Sequence, residues 1–196
     1  MIQHHYLVPL QQMGAEKDIA YAVTGKNTED AADWFVDAKE RLLDVNHWSR
    51  YSANSEIQFS LSDHHGHPVR RKARRGDHIC IDNVHPDGLP GMGYDWAIIE
   101  AIEYDDYPDE DTETFAIRVR PAANPNEMPA GENIQEATST FVIERRHSQL
   151  SGTYHGRNQL GIPAAIIGSH HDDEPIETWL GLNDSMLNAM VKGFFW

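Results

Sequence analysis

The chain has 196 residues, enough for one domain with a sizeable core. Its composition, 40% hydrophobic and 24% charged, is that of a folded globular protein. A formal net charge of −15 opposes duplex nucleic acid and anionic membranes as partners, and no run approaches the ~18 apolar residues of a membrane span.

Residues 1–16 are expected to form a loosely held arm, and residues 17–196 a single globular domain. The opening MIQHHYLVPLQQMG lacks the basic region and long apolar stretch of a secretory signal. A single cysteine, Cys80, excludes an intramolecular disulfide and any Cys-cluster metal site. A reducing cytoplasmic location follows as the expectation.

In chain order, DIAYAVT (Asp18 to Thr24) alternates as a short strand and Gly25 ends it. A long helix then starts with Thr28 as the expected N-cap and acidic residues in its first turn. Ala31, Trp34, Phe35, Ala38, Leu42 and Val45 recur at helical spacing and form its apolar stripe. The helix should stop near Asn46.

From there to about residue 156 the pattern is strands. Glu56 to Ser62 alternates strictly, with Pro68 to Ala73 as a hairpin partner. His78 to Asp82, Tyr94 to Tyr104, Glu113 to Arg120, Thr138 to Arg146 and Leu150 to His155 follow. Two Pro- and Gly-rich loops interrupt them, Val84 to Gly93 and Pro121 to Gln135, of a length that is uncommon unless functional or disordered. Helical character returns weakly at Ala164–Ile167. It is firmer after Asn183, through Met186, Leu187, Met190 and Val191 to Gly193.

Strands grouped between helices argue an α+β fold. The expectation is a curved antiparallel sheet of about six to eight strands, with a long helix in the N-terminal half and helices at the C-terminus. A small β-barrel flanked by helices is the alternative. The order resembles the helix-grip fold of START-like proteins of the polyketide cyclase and lipid-transfer type. The segment DVNHWSRYS carries part of that likeness. It implies a sheet wrapped around a C-terminal helix with a cavity between them. Separately, GYDWAIIEAIE, AIRVRPAANP, EATSTFVIERR and HGRNQ resemble segments of an uncharacterised family of bacterial proteins, mainly from Bacteroidetes. That second likeness runs from about Asp30 to the C-terminus, supports a natural globular unit and brings no activity with it.

Several clusters invite a chemical reading. Asp63-His64-His65-Gly66-His67 looks like a metal site. Zinc needs three or four ligands converging on one point, however, and neighbours on a strand point to opposite faces. A turn capped by Asp63 with Gly66 at positive φ accounts for more of it. In Ser169-His170-His171-Asp172-Asp173-Glu174 the spacing matches no recognised site, and a solvated loop is expected. EYDDYPDEDTE (Glu103 to Glu113) lacks calcium-loop spacing and reads as an acidic hairpin tip. Arg70, Arg71, Lys72, Arg74 and Arg75 suit phosphate or an acidic partner, or the protection of an edge strand. Cys80 reads as a buried, inert thiol. No metal or cofactor is expected.

The remaining signal is charge embedded in apolar strands. Alternation groups Trp96, Ile98, Glu100 and Ile102 on one face, with Arg118 and Arg120 on the next strand. Glu144 and His155 follow further on, with Arg157 beyond them. Lining a cavity under the sheet, Trp96, Glu100, Arg118, Arg120, Glu144 and His155 would orient a ligand. On a wet face they would form cross-strand ion pairs of a few tenths of a kcal/mol. Three functions compete. The first is a binding domain for a small, partly apolar ligand. The second is an interaction protein self-associating through a basic edge strand and acidic loops. The third is a cyclase- or hydrolase-type enzyme using Glu100 or His155 as general acid/base.

Overall fold

The computed structural model describes residues 7–52, 57–83, 96–126, 136–159 and 179–196. Helix α1 (Thr28–Leu43) follows the expected stripe, with Ala31, Phe35, Ala38 and Leu42 fully buried. Its cap lies one residue earlier than expected. Asn27, with extended backbone, accepts from the Asp30 amide at 2.8 Å, so Thr28 is already helical. Because Asn27 is exposed, its replacement by alanine removes little beyond this cap. Asn27→Ala should cost about 1 kcal/mol in urea unfolding. Asn27→Asp should restore it, and an equal loss in both variants would refute the cap's role.

After α1 the chain makes a single 3₁₀ turn, Val45–His47, and the four-residue helix α2 (Trp48–Tyr51). Seven strands form one antiparallel sheet: β1 (Ala15–Thr24), β2 (Ile57–Ser62), β3 (His78–Asn83), β4 (Trp96–Tyr107), β5 (Thr112–Pro121), β6 (Thr138–Arg146) and β7 (Gln149–Gln159). Their order across the sheet is β1-β7-β6-β5-β4-β3-β2. The sheet is therefore open, with β1 and β2 at its edges, and the barrel alternative is set aside. β2 to β7 run as a meander, while β1 pairs antiparallel with the last strand, Asp18 opposite His155. Helix α3 (Asp184–Gly193), capped by Asn183 as expected, returns to the same side as α1. Lys17 of β1 forms an ion pair with Asp184 at its start.

One face of the sheet meets the helices. Phe59, Ile79, Ile99, Ile117, Phe141 and Tyr154 are each at most 3% exposed there. Trp48 packs against Phe59 and Phe141, with ring centroids 5.7 and 5.4 Å apart, and Phe141 also meets Tyr154 at 5.1 Å and Phe194 at 6.0 Å. The order of elements, with one curved antiparallel sheet and a C-terminal helix, agrees with the expected α+β fold. Among the described residues, the space between sheet and helices holds this aromatic cluster.

Two local expectations are corrected. Pro68 to Ala73 does not form a hairpin strand. Pro68 makes a lone bridge to Ser62, and the regular partner of β2 is β3. The basic residues are accordingly not on an edge strand. Arg71 forks onto Asp77 at 2.6 and 2.9 Å, while Lys72 donates to the Glu40 carbonyl and ion-pairs with Glu40 and Asp44 at the end of α1. The two loops at 84–93 and 127–135, the stretch Ala164–Ile167 and the His170-His171-Asp172-Asp173 cluster lie outside the described residues. No described helix is long and apolar enough to cross a membrane.

Candidate functional site

Strands hand alternate residues to opposite faces, so the neighbours of the core-facing residues share the outer face of the sheet. The sequence leaves two settings for Trp96, Glu100, Arg118, Arg120, Glu144 and His155, a cavity under the sheet closed by the C-terminal helix or a wet face with cross-strand ion pairs. The structure turns all six away from the helices, because Ala97, Ile99, Ile117, Val119, Ile143 and Tyr154 occupy the helix side. The register then sorts them. Arg118, Thr140, His155 and Asp18 stand in one row across β5, β6, β7 and β1. Glu144 stands two rows along, opposite Thr114 and Ser151, and Trp96 lies opposite Cys80 near the β3 side.

Glu100 reaches this face through a bulge. Pairing steps from Ile99 opposite Val119 directly to Ala101 opposite Arg118, leaving Glu100 as the extra residue. A bulge re-aims the side chains after it. Ile102 consequently packs into the core rather than beside Trp96 and Ile98. Glu100 meets Arg118 Nε at 2.8 Å and Arg120 Nε at 3.8 Å, giving the carboxylate the arginine partners that a half-buried glutamate needs.

His155 is the centre of a second network. Its Nδ1 lies 2.7 Å from Asp18 Oδ1, and its Nε2 lies 2.9 Å from Thr153 Oγ1. Arg157 grips the same aspartate at 2.7 and 3.2 Å. Burial works against the Asp18 charge, but the bonds from Arg157 and His155 outweigh it and hold the carboxyl below its usual range. An ionised carboxylate only accepts, so Nδ1 carries the proton of this bond. In the neutral ring Nε2 is then an acceptor, and the Thr153 hydroxyl donates to it.

Residues 7–14 of the segment expected as a loose arm lie across this face. Leu7 is 2% exposed against Ala116 and Val142, and its carbonyl accepts from Arg118 Nη1 at 3.1 Å. Asn158 Oδ1 accepts from the Gln12 and Met13 amides at 2.8 and 3.2 Å. Gly14, at φ +69, makes the turn from arm into β1. A Cβ there would stand 2.4 Å from the Gln159 carbonyl oxygen, so only glycine fits. Between arm and sheet is an open cleft of about 360 Å³ lined by Val8, Pro9, Leu10, Gln11, Glu16, His155 and Arg157. No known protein-family model matches the chain, and no curated protein matches it.

Alternation alone pairs Thr153 with His155, two residues apart on β7. Asp18 and Leu7 carry no such signal, since both reach the site through the pairing of the first strand with the last. The other clusters among the described residues are built into turns and strands. Asp63 Oδ1 accepts from the His65 and His67 amides at 2.9 and 3.0 Å, and Gly66 sits at φ +80, the turn read from the sequence. The acidic segment ends in a tight turn, Pro108 to Asp111, between β4 and β5. Cys80 is half-buried on the outer face rather than fully buried.

Proposed function

We propose that the protein binds a small, partly apolar molecule in the cleft between the arm and the outer face of the sheet. The supporting observation is the make-up of that cleft. Val8, Pro9 and Leu10 offer an apolar wall, and His155 and Arg157 offer the polar groups that would fix a ligand's orientation. Its volume of about 360 Å³ falls in the range of small-molecule sites, roughly 300–1,000 Å³. With Arg157 and His155 on the floor, the ligand class is a short aliphatic or aromatic carboxylate. A cytoplasmic location and the likeness to the uncharacterised bacterial family belong to this same proposal. Self-association through the basic segment has less to draw on, because Arg71 and Lys72 are engaged within the chain.

The test is ligand-observed NMR with a panel of small carboxylates. Binders should compete with one another and perturb the His155 ring resonances. Arg157→Met should weaken them about tenfold, the loss expected for one charge-assisted hydrogen bond of ~1.5 kcal/mol. Binders indifferent to Arg157→Met, or no binders in the panel, would remove the cleft as the site.

A further inference from the structure

The atoms around His155 are placed for more than binding. In a nucleophile–base–carboxylate relay, a hydroxyl lies on one imidazole nitrogen and an orienting carboxylate on the other, and such relays are recognised by geometry rather than chain order. Thr153 Oγ1, His155 and Asp18 meet that description at 2.9 and 2.7 Å. Asp18 is itself fixed and kept ionised by the Arg157 fork, as an orienting carboxylate must be.

Leu7 suggests what such a relay would act on. Its side chain rests on Ala116 and Val142, and Val142 stands directly opposite Thr153 in the register. Its carbonyl oxygen is held by Arg118, in the row next to Thr153. The arm thus presents a carbonyl with a branched aliphatic chain, one group on a cationic donor and the other in an apolar seat beside the hydroxyl. Beneath it, Thr140 stands between Arg118 and His155, fully buried and with no hydrogen-bond partner for its own Oγ1. A buried hydroxyl without a partner is costly, and a developing oxyanion is a group it could serve.

We infer that Thr153, His155 and Asp18 form an acyl-transfer site that hydrolyses small aliphatic esters, with Leu7 occupying the acyl seat when no substrate is bound. The inference rests on the cleft reading above, since the alcohol portion of the ester would lie against His155 and Arg157. Thr153 Oγ1 forms a bond to the ester carbonyl carbon as its proton passes to His155 Nε2. Arg118 stabilises the charge on the carbonyl oxygen. The carbon–oxygen bond to the alcohol breaks, and the alcohol leaves with the proton from His155. Water then attacks the acyl-threonine carbonyl carbon as one of its protons passes to His155, the bond between that carbon and Thr153 Oγ1 breaks, and His155 returns the proton to Oγ1, releasing the carboxylic acid. Thr153 and His155 are the catalytic residues. Asp18 is a positioning residue.

The experiment uses the full chain with p-nitrophenyl butyrate. The wild type should release nitrophenolate above the buffer rate, and peptide mass spectrometry should find a butyryl group on Thr153. Thr153→Val, which keeps the side-chain shape, and His155→Gln should each lower kcat/KM by about 100-fold, the low end of general-base contributions. Asp18→Asn should lower kcat while leaving KM unchanged. Leu7→Ala, by vacating the seat, should raise kcat/KM severalfold and lose that gain when combined with Thr153→Val. A wild-type rate equal to buffer, or hydrolysis unaffected by Thr153→Val, overturns the inference. Carboxylate binding without hydrolysis would leave the cleft proposal standing and sink this one alone.

Discussion

Trp48→Ala is expected to destabilise the protein by about 4 kcal/mol, the largest effect of any single substitution argued for this chain. Trp48 is fully buried at the first residue of α2, where the chain leaves α1 and turns back towards the sheet. Its indole fills the space between Phe59 on β2 and Phe141 on β6, two strands far apart in the sheet order. Its Nε1 donates to the Leu42 carbonyl at 3.0 Å, one of the carbonyls that the end of α1 leaves without a helical partner. Alanine removes the contacts with both rings and opens a cavity that two rigid strands cannot close. It also strands the Leu42 carbonyl. Domains of this size are stable by only ~5–15 kcal/mol, so the loss is a large share of the total. Trp48→Phe should recover most of the packing but not the hydrogen bond, leaving a deficit of about 1 kcal/mol. Urea unfolding of both variants checks the assignment. A Trp48→Ala cost below 1 kcal/mol would show that the core collapses around the gap.

The same tryptophan shows what sequence can and cannot carry. Helical spacing located α1, and strict alternation located β2, because a 3.6-residue period and a two-residue period are local properties. Trp48 falls in neither period. Its burial depends on where the short helix places it against strands distant in the chain. The failure at Glu100 has the same kind of cause. Alternation assigns Trp96, Ile98, Glu100 and Ile102 to one face, and a single bulge sends Ile102 to the other. A bulge inserts one residue without a compositional mark, so a count by twos runs through it unaware. Which side of the sheet these residues face stays open in the sequence for a broader reason. Period two separates the faces but does not say which one the helices cover. That choice follows from Phe59, Phe141 and Tyr154 taking α1, α2 and α3, which leaves Glu100, Arg118 and His155 outside. Asp18 joins His155 only through the pairing of β1 with β7, a contact across 137 residues. Pairings of that reach are set by topology.

Arg145→Met is the second large effect, expected at about 2–3 kcal/mol at neutral pH and dependent on pH in a stated direction. Arg145 lies on the helix side of β6, 8% exposed, where the sequence marks only one more charged position in TFVIERR. Its Nε donates to Glu113 at 2.7 Å and its Nη1 to Asp111, also at 2.7 Å. Methionine keeps the aliphatic packing but leaves two carboxylates facing each other without their cation. Both retain some access to water, which holds the cost below that of a fully buried pair. The bond from Arg145 is the main cause that holds the Asp111 carboxyl below its usual range, against the opposing pull of desolvation. A carboxyl lowered on folding stabilises the native state above its unfolded pKa. That contribution is lost as pH falls through the ordinary aspartate range to the lower, folded value. In Arg145→Met the largest of the lowering influences is gone and only that of His147 remains, so acidification has less to remove. The stability gap between wild type and variant should therefore be widest at neutral pH and narrow steadily below the ordinary aspartate range. Urea midpoints measured along that pH series decide it. A gap that stayed constant from neutral to acidic pH would mean that Arg145 acts through packing alone, with no ionic linkage to Asp111.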